Sequence, residues 1–245
     1  MAYTNHEALI IGKTPTAEHD KILNLLLEDG RRVEAKIRKA RDTSAKWTSI
    51  TEPVSLVELE LYEKANRFTI TSINLLEYFD GIYSDFIHCV ASDYIFELIQ
   101  GCTPYGCAEI GLFEITLESY RFLAKKELEP LSVLASYLLD FSNILGYGTN
   151  FYTCKTCGVR VESNCGFDVK TGQVVCSGCK LAQHLNIPDY ALKAIQALGT
   201  SYTNRLDLNP KLAFGVITLL ERVIKDRFDF VPKSSYHLTS KTLNK

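Results

Sequence analysis

The chain has 245 residues, 46% of them hydrophobic and 23% charged, and its 27 Lys and Arg against 29 Asp and Glu leave a formal net charge of −2. These are the proportions of a globular protein with room for one large or two modest domains, and no global field draws it to nucleic acid, so any such binding must be local. The N-terminal MAYTNHEALII has neither the basic start nor the long apolar run of a signal peptide, and no apolar stretch reaches the roughly 18 residues of a membrane span, so a cytoplasmic protein is expected.

The first lobe, residues 1–78, reads as β. Ala8 to Ile11 is apolar, Lys21 to Leu27 is a second run, and Glu28-Asp29-Gly30 is a turn leading into Arg31 to Arg38, which makes a hairpin. Val54 to Tyr62 intersperses Leu56, Leu59 and Leu61 with Glu58 and Glu60, and Phe68 to Leu76 follows the turn Lys64-Ala65-Asn66. Five short strands suffice to close a small barrel. The pattern favours an OB-fold, the usual five-stranded Greek-key solution at this size; an SH3-like barrel is the alternative, and pattern alone separates the two poorly.

Within this lobe Arg31, Arg32, Lys36, Arg38, Lys39, Arg41 and Lys46 face only Glu34 and Asp42, and the single tryptophan, Trp47, follows. Such a cluster on one barrel edge can track a phosphate backbone with an aromatic available for stacking; the plainer reading is a solvated strand and loop with Trp47 plugging the core.

From Phe79 to Lys245 the pattern is helical, so the fold class is α+β and multidomain. Ile82, Phe86, Cys89, Val90, Ile95, Leu98 and Ile99 suit one amphipathic helix ending before Gly101; Leu112 to Leu123 and Leu131 to Leu145 suit two more. Pro188 opens a short helix through Leu198, and Asn209-Pro210 precedes an apolar one from Leu212 to Ile224. The polar tail from Asp229 is expected to fray.

Between these helices, residues 152–180 read YTCKTCGVRVESNCGFDVKTGQVVCSGCK, two Cys-x-x-Cys pairs around a fifth cysteine. A Cys-x-x-Cys turn aims two thiolates at one point, and two such turns complete the tetrahedron of sulfurs that Zn²⁺ prefers. The expected ligands are Cys154, Cys157, Cys176 and Cys179, holding one structural zinc; Cys165 is an alternative for one of the four. Redox dithiols usually sit singly in a βαβ unit, and disulfide frameworks belong to short secreted chains, so both readings fit poorly. A catalytic zinc needs an open position and a nearby general base, but no His lies between Cys154 and Cys179 and no His-x-Glu stands beside them. Cys89, Cys102 and Cys107 read as small buried hydrophobes, with a role for the Cys102/Cys107 pair left open. No phosphate-cradling glycine loop, nucleophile elbow or paired catalytic carboxylate motif appears, and no enzyme is expected.

The arrangement of barrel, helices, inserted four-cysteine segment and further helices resembles the RecO family of bacterial recombination mediators. Pro15-Thr16-Ala17-Glu18-His19-Asp20 running into ILNLLLEDGRR is similar to that family's Pro-x-x-Glu-x-Asp segment and first hairpin, and Thr51-Glu52-Pro53 falls at its Gln-Pro-Phe. The most specific likeness is Leu145-Gly146-Tyr147-Gly148-Thr149-Asn150-Phe151 ahead of Cys154, with Gly172 and Cys176-Ser177-Gly178-Cys179 beyond. Ile37-Arg38-Lys39-Ala40-Arg41 departs from the family's Gly-Ala-Arg, and Lys233-Ser234-Ser235 only echoes its C-terminal Lys-Ser-Arg. The resemblance implies a non-enzymatic protein that binds single- and double-stranded DNA, pairs with RecR, engages the acidic tail of the single-stranded-DNA-binding protein, helps load RecA and anneals complementary strands. The charge cluster beside the OB-like pattern points to Lys36, Arg38, Lys39, Arg41 and Lys46 as the DNA-binding residues, and the resemblance implies a nucleoid-associated bacterial protein. The rival of another class is a zinc-stabilised adaptor without direct DNA contact; a zinc hydrolase or deaminase is disfavoured by the missing His and Glu.

Overall fold

The computed structural model describes residues 2–16, 20–38, 50–65, 67–199 and 206–241. They form two compact units, Met1–Asp85 with Thr103–Ala124, and Phe86–Cys102 with Lys125–Lys245.

In the first unit, β1 (Ala2–Pro15), β2 (Lys21–Leu27), β3 (Arg32–Ile37), β4 (Ser55–Lys64) and β5 (Arg67–Tyr78) close into a barrel in the order β1-β2-β3-β5-β4. All neighbours are antiparallel except β3 and β5, which meet in parallel at Ala35↔Phe68 and Lys36↔Thr69, the closure of an OB-type Greek key. β1 starts earlier than its apolar run. Its exposed first residues pair with β4, Ala2↔Glu63 to Ile10↔Ser55, and its later part pairs with β2, Ala8↔Leu27 to Pro15↔Lys21. A register shift between Ile10 and Gly12 lets one strand serve two partners around the curve. The interior follows the period of two: Leu23, Leu25 and Leu27; Val33, Ala35 and Ile37; Val57, Leu59 and Leu61.

The β2–β3 turn is locked to the segment before α2 (Leu112–Lys125). Gly30 has φ +83, Glu109 N donates to Gly30 O at 3.2 Å, Gly106 N donates to Arg32 O at 3.0 Å, and Glu34 N donates to Tyr105 Oη at 3.0 Å. Along α2, Tyr120 meets Phe79 (ring centroids 6.0 Å) and Arg121 pairs with Glu77 at 2.8 Å.

The second unit is built on α1 (Phe86–Cys102), α3 (Pro130–Ile144), α4 (Asp189–Leu198), α5 (Pro210–Phe228) and α6 (Ser235–Lys241). α3 is buried almost all round, as expected of a central helix. α5 starts as its sequence dictates: Pro210 sits in the first turn, and the Asn209 side chain accepts from Leu212 N at 2.9 Å.

Two expectations are corrected here. The helix expected from Ile82 starts at Phe86, after a 3₁₀ turn over Asp80–Ser84, and it runs through Gly101 instead of stopping before it. Gly101 lies under Phe230, and a Cβ there would come 2.5 Å from the ring, so this glycine serves close packing. The tail does not fray throughout: residues 235–241 are helical, Leu238 is fully buried, and the Glu97 carboxylate accepts from both Ser234 N and Ser234 Oγ at 3.1 Å. Among the described residues no helix is long and apolar enough to cross a membrane.

Candidate metal centre and nucleic-acid interface

The segment between α3 and α4 folds around a three-stranded sheet, β7-β6-β8, with β6 (Cys165–Asp168), β7 (Gln173–Val175) and β8 (Leu185–Ile187). Asn150 starts the first cysteine turn. Its Oδ1 accepts from Tyr152 N (2.8 Å) and Thr153 N (3.2 Å), while its own backbone bonds Gly172 O and Val174 N at 3.0 Å each. Lys155 N then donates to Val174 O at 3.0 Å, placing the first turn beside the strand that leads into Cys176. The stacked rings of Phe151 and Phe167, 5.2 Å apart and 1° from parallel, fill the space beneath. From α4, Gln196 Nε2 donates to Phe151 O (2.7 Å) and Val161 O (3.0 Å).

Each Cys-x-x-Cys closes tightly: Gly158 N donates to Cys154 O at 2.8 Å with Gly158 at φ +73, and Cys179 N donates to Cys176 O at 3.0 Å. The Sγ atoms of Cys154, Cys157, Cys176 and Cys179 consequently all lie within 4.8 Å of one another, with Cys157 and Cys176 at 3.7 Å. A disulfide requires about 2.05 Å. A tetrahedron with metal–sulfur arms of about 2.3 Å has edges of about 3.8 Å, so the cluster has the size of a four-thiolate metal site. Cys165 stands apart on β6, fully buried opposite Ile187, and burial pushes its thiol pKa up.

The electrostatics suit a cation. Burial opposes ionisation of Cys154, but backbone N–H groups of Cys176, Cys157 and Thr156 and the Cys157 side chain stabilise its thiolate, bringing the pKa to about 6. Cys179 goes the other way, to about 12, chiefly because it shares hydrogen bonds with Cys176 and Cys157 that favour its protonated form. Cys154 therefore gives up its proton far more readily than Cys179, and a bound cation would displace the protons of its thiol ligands. The group contains no histidine or carboxylate. Four sulfurs fill a tetrahedron and leave no coordination position for a substrate.

The basic cluster is only partly a free surface. Arg31 is paired with Asp29 at 2.7 Å; Arg32 donates to Thr103 O at 3.2 Å and lies over the Tyr105 ring. Lys36 pairs with Asp20 at 2.7 Å, and Arg38 is exposed at the end of β3. Lys39, Arg41, Lys46 and Trp47 lie outside the described residues. Beside Arg38 the outer wall carries a cavity of about 370 Å³ lined by Tyr3, Tyr62 and Thr69 among others. Sequence reading misses this feature, because the two tyrosines meet only through the β1–β4 register.

Comparison with known proteins agrees with this architecture. Residues 1–79 match the family described as Recombination protein O N terminal, and residues 83–224 match Recombination protein O C terminal. Among curated relatives, a DNA repair protein RecO of Syntrophobacter fumaroxidans is 26% identical over 200 residues, covering 81% of this chain and 75% of the relative. DNA repair protein RecO of Clostridium novyi is 25% identical over 232 residues, covering 93% and 90%. That of Streptomyces coelicolor is 26% identical over 208 residues, covering 82% and 84%. With both family regions matched in order, and an OB-type barrel and a four-cysteine cluster in place, the chain belongs to the RecO family of DNA repair proteins.

Proposed function

We propose that this chain is a non-enzymatic mediator of DNA repair and recombination. It binds and anneals single-stranded DNA and helps load the recombinase on DNA coated by the single-stranded-DNA-binding protein. The observation that carries the reading is the OB-type barrel whose third strand is followed by exposed Arg38 and, in sequence, by Lys39, Arg41 and Lys46. Annealing breaks no bond. It brings two strands together while their phosphate repulsion is screened, which a basic surface can supply. In this reading the DNA contacts are Lys36, Arg38, Lys39, Arg41 and Lys46, on single and double strands alike. RecR and the tail of the single-stranded-DNA-binding protein are the protein partners, RecA is reached indirectly, and the setting is the cytoplasm at the nucleoid.

The cofactor is one structural zinc held by Cys154, Cys157, Cys176 and Cys179. Four closely set sulfurs are a donor set that Zn²⁺ favours, and a closed site of this kind stabilises the small lobe without chemistry of its own.

Full-length protein in which Arg38, Lys39 and Arg41 are all replaced by Glu should bind single-stranded DNA at least about ten-fold more weakly at moderate salt. Its log–log salt dependence should be shallower by about 2, since each lost phosphate contact removes about 0.7 from the slope. Unchanged affinity and slope would sink the assignment of these residues.

A second reading, a zinc-stabilised protein adaptor, draws on the internal pairing of Arg31, Arg32 and Lys36 and on the net charge of −2. It requires the same triple variant to leave DNA affinity untouched while partner binding persists.

A further inference from the structure

The outer wall of the barrel carries a row that no motif announces. Tyr3 pairs with Tyr62 across β1 and β4, Tyr62 with Thr69 across β4 and β5, and Thr69 with Lys36 across β5 and β3. Residues directly opposite one another on adjacent strands have Cβ atoms about 4.5–5.5 Å apart on one face, so the four side chains stand side by side. The two tyrosine rings are 5.0 Å apart at the centroids and tilted by 42°. Tyr3 is 64% exposed, a large fraction for an aromatic with a neighbouring ring available to pack on.

Beside this row lies the cavity of about 370 Å³. Tyr3 and Tyr62 line one part, Thr69 and Thr71 another, the inner residues Ile37 and Ile70 contribute apolar surface, and Arg38 stands with them. The Thr71 hydroxyl is committed to Glu60 on the adjacent strand. The site thus offers exposed aromatic face, apolar floor and a guanidinium, at the point where the basic segment leaves the barrel.

We propose that this cavity is a nucleobase subsite: an unpaired base of single-stranded DNA stacks on Tyr3, backed by Tyr62, while Arg38 holds the adjoining phosphate. The proposal rests on the reading of the barrel as a DNA-binding surface and adds what that reading lacks, a structural reason to prefer unpaired strands. A base within a duplex has both faces covered by its neighbours and cannot reach the ring, whereas every unpaired base offers a π-face whatever its identity. Charge complementarity favours this occupant over an apolar peptide side chain, because the exposed Arg38 guanidinium sits on the cavity. A base held singly is presented with its pairing edge available, the condition annealing needs.

The test uses the full-length protein and two probes of equal length, an oligothymidylate and an abasic strand, with a duplex as control. Wild type should bind oligothymidylate roughly ten-fold more tightly than the abasic strand. Tyr3→Ala should weaken oligothymidylate binding by roughly five- to ten-fold, the lower end of base–aromatic stacking and most of that preference, and leave abasic and duplex affinities unchanged. Tyr3→Phe should keep the preference, since the ring and not the hydroxyl does the stacking. Wild type that fails to distinguish the two strands overturns the proposal without any variant and so independently of folding. So does Tyr3→Ala, with an unaltered melting temperature, that still distinguishes them. If binding to both strands falls when Arg38, Lys39 and Arg41 are reversed but ignores Tyr3, the subsite fails and the DNA-binding barrel stands. If wild type binds neither strand, both fail.

Discussion

Replacing Cys154 by Ser should empty the metal centre and unfold the lobe from about residue 150 to 187, the largest effect we expect of any single substitution. Cys154 is 2% exposed and hydrogen-bonds through its backbone to Val159 and Gly158, so it is both a ligand and the pivot of the first turn. The lobe's three short strands and one aromatic stack are too small a core to stand alone. In small zinc domains the metal contributes about 10–16 kcal/mol of apparent folding free energy, most of which needs all four ligands. Elemental analysis of the purified wild type should return about one zinc per chain and that of Cys154→Ser below about a tenth of that, with solubility falling in parallel. Cys165→Ser should leave metal content unchanged, because Cys165 stands on β6 away from the four sulfurs. Metal at full occupancy in Cys154→Ser would show that the site is not built as described.

The second large effect is expected at Gly30. Its φ of +83 already disfavours any side chain, and a Cβ would lie 2.2 Å from the carbonyl oxygen of Glu109, a backbone atom that cannot swing aside. Left-handed strain of about 1–2 kcal/mol and overpacking of about 1–3 kcal/mol together put Gly30→Ala at about 2–5 kcal/mol. For a chain of this size that lowers the melting temperature by roughly 4–20 °C. The loss should appear in the barrel unit, where the β2–β3 turn meets the segment ahead of α2. A Gly30→Ala protein that melts with wild type would mean that the contact is not formed.

Much of this architecture was legible because the local signals agreed with the tertiary outcome. Glu28-Asp29-Gly30 between apolar runs is a hairpin turn and forms one; Asn209-Pro210 caps and starts α5 as its chemistry requires. The four-cysteine cluster was legible for a stronger reason. Two Cys-x-x-Cys turns carry their geometry within four residues each, so only their meeting had to be inferred, and the four sulfurs do meet. What failed to show was set by distant partners. Gly101 reads as a helix stop, yet α1 runs through it, and the Phe230 ring lies where a side chain at this position would stand. Ala2 to Glu7 are too polar to announce a strand, and they form one because β4 offers its edge. Ser235–Lys241 reads as loose tail, and Leu238 together with Glu97 makes it a helix. The Tyr3–Tyr62 pair depends on a register that no local pattern encodes. The basic run misled in the opposite direction: its charges were legible, but Asp29, Thr103 and Asp20, which engage three of them, were not.

Our central proposal is that this RecO-family protein works by holding DNA on its barrel and bringing strands together, with the four-cysteine lobe serving structure alone. The measurement that reaches it most directly is annealing of two complementary strands, each coated with the cognate single-stranded-DNA-binding protein, followed by strand-specific fluorescence with and without the full-length chain. The account predicts annealing at least about ten-fold faster with the protein than without it, and return to the uncatalysed rate when Arg38, Lys39 and Arg41 are replaced by Glu. Annealing at the same rate with and without the protein, or full acceleration by the charge-reversed variant, would contradict it.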